Sequence, residues 1–377
     1  MTPMETELRR RFPRVAVTHE WLTIPGGSEQ VVAQVLELFP DAELFTSIHD
    51  PEPWAPPIAG RTVHTSFLDR IPGARRHYPK LLPLMNLAFE SLDLSDFDLV
   101  ISSNHACAKN VVVAPGARHV CYCHTPMRYA WDSRFLAEED LGAAASLAAR
   151  ALLPRLRRQD FIAAQRPDAI LANSTTVAER VARHWRREAA VLHPPVEVDR
   201  FLTLPRAPSD YYLVLGRVVP YKKVDLALRA CARLGRRVVV AGDGRALEGA
   251  RAVAGPDAEL LGRVTDAELP GLLAGARALL FCAEEDFGIV PVEAMAAGVP
   301  VIAYGVGGAR DSVLDGDTGI LFDDQTEDGL MAAIERFEAL SFDDDCLREH
   351  AQAFGPERFR DELAEHVLAL DGAEVLA

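Results

Sequence analysis

The chain has 377 residues, 49% hydrophobic and 25% charged, a balance that builds large cores and fits two or three domains. Its 40 Lys and Arg against 55 Asp and Glu give a formal charge of −15, which excludes general nucleic-acid binding, because that demands a basic surface. No run of about twenty apolar residues is present, so no segment is expected to span a membrane, and the N-terminal "MTPMETELRRRFPR" lacks the apolar core of a secretory signal.

Short apolar runs rich in β-formers alternate with helical patterns from end to end. Strands are expected at 14–19, 42–47, 97–103, 118–123 and 168–174. A proline-bearing stretch, 193–210, interrupts the alternation, which restarts with strands at 211–217, 236–242, 258–263, 278–283, 299–305 and 318–323. Near-continuous apolar strands between helices predict α/β domains with parallel sheets covered on both faces. The expected division is an N-terminal doubly wound domain over 1–200, a C-terminal one over 201–355, and a closing segment 356–377. That last segment opens with a helix pattern at 356–372, Pro356 standing in its first turn, and is expected to pack back towards the first domain. Ligands of such sheets bind at the carboxyl ends of the strands, so two facing domains would place a cleft between those ends.

Taken in chain order, the first chemical signal is "PGGSEQVV" (25–32), directly after the strand 14–19. Gly26 and Gly27 allow a tight turn, and Ser28 is expected to cap a helix that carries Val31, Val32, Val35, Leu38 and Phe39 on one side. A strand, a glycine pair and a helix start together suit an anion; an ordinary strand–helix turn is the plain alternative. The segment 75–92, basic at its start and rich in Leu, is expected to be a core-packing helix, with docking of a lipid-linked ligand as the second reading. In "CYCH" (121–124), Cys121 and Cys123 share one face of a strand and His124 points to the other. The six cysteines offer no second pair for a zinc site and are expected to be buried, reduced thiols.

In the second half, "GRVVPYKKVDLAL" (216–228) sets Arg217 at a strand end and Lys222 before a helix, two cations that suit a diphosphate. "AGDGRAL" (241–247) has Leu247 where the dinucleotide fingerprint needs its third glycine, and reads as a turn. The acidic groups at 96–98, 322–324 and 343–345 read as solvated turn or loop acids, so no metal site is expected. The most telling segment is "EEDFGIVPVEAMAAGVPVIA" (284–303), where Glu285 and Glu293 stand in the most apolar part of the chain. An unpaired carboxylate there is costly, and the order strand, loop, helix sets both beside the free N–H groups of a helix start.

Four segments, 25–32, 216–228, "GRVTDAELPGLLAGARALLF" (262–281) and 284–303, resemble the retaining glycosyltransferases of family 4, which have the GT-B fold. "CHTPMRYAWD" (123–132) is similar to the bacterial branch that transfers mannose from GDP-mannose in polysaccharide assembly. Cys282 departs from that branch, which commonly has proline there. The resemblance implies two Rossmann-like domains facing each other across a cleft. It implies that Glu293 binds the donor ribose and Glu285 the donor hexose, with Phe287, Gly288, Ile289 and Val290 lining sugar and diphosphate. Arg217 and Lys222 would clamp the diphosphate with Gly26 and Gly27, Arg263 and Val264 would lie near the base, and His124 close to the reacting sugar. His124, Arg217, Lys222 and Glu285 are thereby the expected catalytic group.

The expected activity is hexosyl transfer from a nucleotide sugar, GDP-mannose favoured, to a saccharide or lipid-linked saccharide, without metal or other cofactor. A UDP-glucose-type donor and a non-catalytic nucleotide-sugar-binding role are the alternatives. A phosphorylase would need a lysine motif for pyridoxal that the sequence lacks, and the defective glycine fingerprint disfavours an NAD-dependent oxidoreductase. The expected place is the cytoplasm, with peripheral contact to an anionic membrane as an option and no nucleic-acid partner.

Overall fold

The computed structural model describes residues 3–52, 54–132 and 143–370. The chain divides into two compact units, one made of Met1–Pro195 with Glu357–Ala377 and the other of Val196–Pro356. The first contains β1 (Val15–His19), β2 (Glu43–Thr46), β3 (Val63–Thr65), β4 (Leu99–Asn104), β5 (Arg118–Cys123), β6 (Ala169–Ala172) and β7 (Ala190–Val191). They form one sheet in the order β3-β2-β1-β4-β5-β6-β7, every pair parallel. The second holds β8 (Tyr211–Leu215), β9 (Arg237–Ala241), β10 (Ala258–Gly262), β11 (Ala278–Phe281), β12 (Val301–Tyr304) and β13 (Gly319–Phe322). Its order is β10-β9-β8-β11-β12-β13, again parallel throughout.

Alternation along each strand feeds two cores. Leu213, Val239, Leu279 and Val301 enter the core on one face of the second sheet, and Tyr212, Val238, Leu280 and Ile302 that on the other. In the first unit Val17, Leu99, Ile101 and Tyr122 enter one core, and Ala16 and Val100 another. Cys121 and Cys123 pack with Val177, Val181 and Trp185 on that second face. Burying a Val or Leu side chain contributes about 1.5–3 kcal/mol, so sheets filled on both faces carry most of the stability.

The helix Pro356–Ala369 sends Phe359, Leu363, Ala364 and Val367 into the core of the first unit. Phe359 meets Tyr122 edge-on, and Arg360 hydrogen-bonds Gln34. Residues 371–377, the end of the expected closing segment, lie outside the described residues.

Several sequence expectations need correction. Ser28 does not cap its helix: the helix is Gly27–Leu38, Gly26 is the cap residue, and the Ser28 hydroxyl donates to Glu29. Asp343 is not a loop acid but caps the helix Asp344–Gln352, accepting from Asp345 and Cys346. Five cysteines are buried, but Cys346 on that helix is exposed. In the 75–92 region, the helix Leu82–Glu90 buries Met85, Ala88 and Phe89 while leaving Leu84 and Leu87 43% and 57% exposed. Among the described residues no helix is long and apolar enough to cross a membrane.

Candidate active site

In the second unit the chemistry-bearing loops follow β8 and β11, which are neighbours in the sheet. Arg217, two residues beyond β8, is exposed, and its guanidinium has no partner among the described residues. Lys222 ends the short turn Pro220–Lys222. This loop is clasped by the "AGDG" turn: Gly216 and Val218 donate to Ala241 O and Asp243 O at 3.0 and 2.9 Å, and Ala246 donates back to Val218 O. A Cβ on Gly242 would stand 1.8 Å from Gly216 O, and one on Gly244 2.3 Å from Val218 O. The glycines that fail as a dinucleotide fingerprint therefore let one backbone lie against another.

The Lys222 ammonium forms an ion pair with the Glu285 carboxylate, their side chains only 16% and 19% exposed. That contact answers why an acid stands at the end of the apolar strand β11: a cation from the neighbouring loop neutralises it. The backbone of Glu285 is fixed as well, its carbonyl accepting from Gly308 N at 2.8 Å. Gly307 has φ +91°, and a Cβ on it would lie 2.4 Å from Glu285 O; one on Gly308 would lie 2.2 Å from Phe287 Cα. Only glycines admit this contact. They went unnoticed in the sequence, although "GVGG" (305–308) directly after β12 was the available signal.

Phe287 turns into the core, 3% exposed and 5.7 Å from the Phe354 ring, so only its backbone remains to line a ligand site. Gly288, at φ +89°, then starts the helix Ile289–Ala296, whose first turn has no side-chain cap. Its leading N–H groups, with Ile289 and Val290 half-buried beside them, form a site of positive potential. Glu293 lies one turn further on, half-buried. Burial pushes its carboxyl up, Arg200 opposes this, and Asp266 reinforces it. Arg200 is itself held by the Asp266 carbonyl at 2.7 Å. No periodicity in the sequence pointed to Arg200, which lies just past the proline-bearing break. Arg263 is exposed after β10, while Val264 packs on the core.

In the first unit, Gly26 and Gly27 are exposed at the start of the helix Gly27–Leu38. His124 follows β5, its amide donating to Asn104 O at 2.8 Å and its ring edge-on to Tyr122. Burial, followed by the nearby His105 and His19, drives its imidazole well below the ordinary histidine range, so the ring is neutral. Glu20, next to β1, is completely buried and accepts from the backbone N–H groups of His105, Ala106, Cys107 and Ala108 at 2.6–3.0 Å. Four donors compensate a buried carboxylate and hold the loop after β4. Its partners lie some 85 residues away in sequence, which hid the role. Among the described residues no group of three or more His, Cys, Asp or Glu is placed to hold a metal ion.

Residues 25–200 match the sequence model of the family described as Glycosyltransferase Family 4, and residues 197–356 that described as Glycosyl transferases group 1. Through both units the chain belongs to the glycosyltransferases of family 4, with the GT-B pair of parallel-sheet α/β domains. It is 33% identical over 233 residues to the D-inositol 3-phosphate glycosyltransferase of Geodermatophilus obscurus, covering 52% of this chain and 51% of that one. With the protein of the same name from Mycobacterium tuberculosis it is 36% identical over 185 residues, 41% of this chain and 37% of the relative. The chain thus spans about half the length, or less, of these curated relatives. Its fold is similar to that of Anabaena HepE solved with UDP and glucose, with TM-score 0.65, 16% identity, and 94% and 99% of the two chains covered. Sucrose-phosphate synthase from Thermosynechococcus elongatus gives TM-score 0.69 at 18% identity, covering 96% and 100%.

Proposed function

We propose that the chain is a retaining hexosyltransferase that moves a sugar from a nucleoside diphosphate to a saccharide or lipid-linked saccharide. The observation that carries this reading is the Lys222–Glu285 ion pair, formed where β11 leads into the uncapped helix Ile289–Ala296. Without a ligand each charge neutralises the other. A bound diphosphate would draw Lys222 and Arg217 to itself and release Glu285 to accept bonds from the hexose hydroxyls. Glu293 would take the ribose hydroxyls, Gly288, Ile289 and Val290 would offer backbone N–H groups, and Arg263 and Val264 would meet the base. From the first unit the reading calls on Gly26 and Gly27 for the anion and on His124 for the sugar.

The hard step is breaking the bond from the anomeric carbon to the diphosphate oxygen while the sugar becomes cationic. Fixed positive charge at the leaving group is typically the largest catalytic contribution. Glu285 and Glu293 are both engaged in binding, which leaves neither as nucleophile. In the proposed front-face transfer the acceptor oxygen bonds to the anomeric carbon as the diphosphate leaves, and the acceptor's proton passes to a phosphate oxygen.

GDP-mannose is the proposed donor, on the strength of "CHTPMRYAWD" (123–132). A UDP-sugar is the second reading, favoured by the fold neighbour solved with UDP and glucose. Thermal-shift titration with GDP, UDP and ADP separates them. A nucleotide at 100 times its dissociation constant adds about 2.7 kcal/mol of stability, and GDP is expected to raise the melting temperature most. A larger shift with UDP would refute the mannose donor, and no shift with any of the three would refute the transferase reading.

A further inference from the structure

Beyond His124 itself, three buried side chains of the first unit have no part in the proposed reaction, yet they form a continuous hydrogen-bonded row that ends on it. His19, the last residue of β1, is completely buried. Its Nε2 lies 3.1 Å from Oε1 of Glu29, in the first turn of the helix Gly27–Leu38. Its Nδ1 lies 3.0 Å from the Ser103 hydroxyl on β4, and the same hydroxyl lies 2.8 Å from Nε2 of His124 beyond β5. The row crosses the carboxyl ends of three adjacent strands, and their ladder fixes it: His19 is in register with Ser103, and Ser103 with Tyr122.

The direction of the donors is set by the end of the row together with the charge state of His19. Burial pushes the Glu29 carboxyl up, but the hydrogen bonds it accepts from His19 and Ser28 oppose this and hold it below the ordinary carboxylate range. Its place in a helix's first turn favours the anion further. An ionised carboxylate only accepts, so Nε2 of His19 carries a hydrogen. With His19 neutral, Nδ1 of its ring accepts from the Ser103 O–H, and the lone pair of that hydroxyl is left to take an N–H from His124. An imidazolium at His19 would reverse the hydroxyl and put the hydrogen of His124 on Nδ1 instead.

We propose that His19 is neutral and that Glu29, His19 and Ser103 form a relay that fixes the hydrogen of His124 on Nε2 and keeps Nδ1 as an acceptor. They are positioning residues, and the proposal deepens the reading that His124 serves the donor sugar. A ring nitrogen held as an acceptor takes a hydrogen bond from a sugar hydroxyl without first losing a proton. The tautomer is thus set before any ligand arrives, through the hydrogen bond made by the opposite nitrogen.

Long-range proton–nitrogen NMR on the full chain with labelled histidine reads the tautomer in the ligand-free protein, the His124 signals being identified by their loss in His124→Gln. The expected wild-type spectrum has Nε2 in the protonated position and Nδ1 in the bare one. Ser103→Ala is expected to bring both His124 nitrogens to averaged positions. It should also lower kcat by roughly 10–100-fold, by analogy with the outer partners of metal-bound histidines, with donor KM little changed. A wild-type Nδ1–H, or a His124 signal unmoved in Ser103→Ala, overturns the relay, and the wild-type spectrum decides even if that variant does not fold. Unchanged turnover in His124→Gln overturns the role of His124 at the sugar, whatever its tautomer, so the two failures are distinguishable.

Discussion

Lys222→Ala is expected to lower kcat by ~10²–10³-fold, the scale on which one donor to a developing anion acts. Two effects add in the same direction. The diphosphate loses the only ammonium placed beside Glu285 among the described residues, and the carboxylate is left unpaired where β11 ends. An unpaired Glu285 tends to take up a proton, and a neutral carboxyl accepts more weakly from the sugar. Lys222→Arg is expected to recover part of the rate, because the charge returns but the planar guanidinium does not match a point contact. Steady-state release of nucleoside diphosphate measures both variants, with circular dichroism to establish that they fold. A loss below about threefold for the alanine variant would remove Lys222 from the chemistry.

The second large effect concerns stability and lies in the first unit. Asp160→Asn is expected to destabilise that unit by about 3–5 kcal/mol, the usual cost of breaking a buried ion pair from one side. Lys109 Nζ lies 2.5 Å from Asp160 Oδ1, both side chains fully buried. The other oxygen accepts from the indole N–H groups of Trp131 and Trp185, each at 2.6 Å. Burial disfavours the Lys109 charge, but its attraction to Asp160 and the hydrogen bond it donates to that carboxylate prevail and raise its pKa. Asparagine keeps the shape but not the charge, and its amide nitrogen would confront donors. At about 2–4 °C per kcal/mol for a unit of this size, the melting temperature should fall by roughly 6–20 °C. Scanning calorimetry of the full chain measures the shift. Adding Lys109→Met, which removes the stranded ammonium, is expected to restore part of it. A fall under about 1 kcal/mol would show that the network tolerates a neutral centre.

The parts of this protein that were legible in the sequence are those written locally. The runs "VAVTH" and "RVVVA" are apolar on both faces because both faces of their strands are covered, and they announce parallel sheets. The strands β3 and β7 were not foreseen; at three and two residues on the sheet edge they are too short to show a period. Glu285 and Glu293 stood out because acids are conspicuous in an apolar stretch. Their partners did not: Lys222 is 63 positions from Glu285, and nothing in a linear pattern couples the two. The same distance in sequence hid Arg200 beside Glu293, Glu20 under the loop after β4, and Ser103 between two histidines. Ser28 was misjudged as a cap because residue type alone cannot tell whether a hydroxyl turns to the backbone or, as here, to the next side chain.

A crystal structure with an intact nucleotide-sugar donor tests the central claim most directly. The account predicts that Lys222 has left Glu285 for the diphosphate with Arg217 beside it, that Glu285 accepts from hexose hydroxyls, and that Glu293 accepts from the ribose. A donor bound with the Lys222–Glu285 pair still closed and Glu293 turned away from the nucleotide would contradict it.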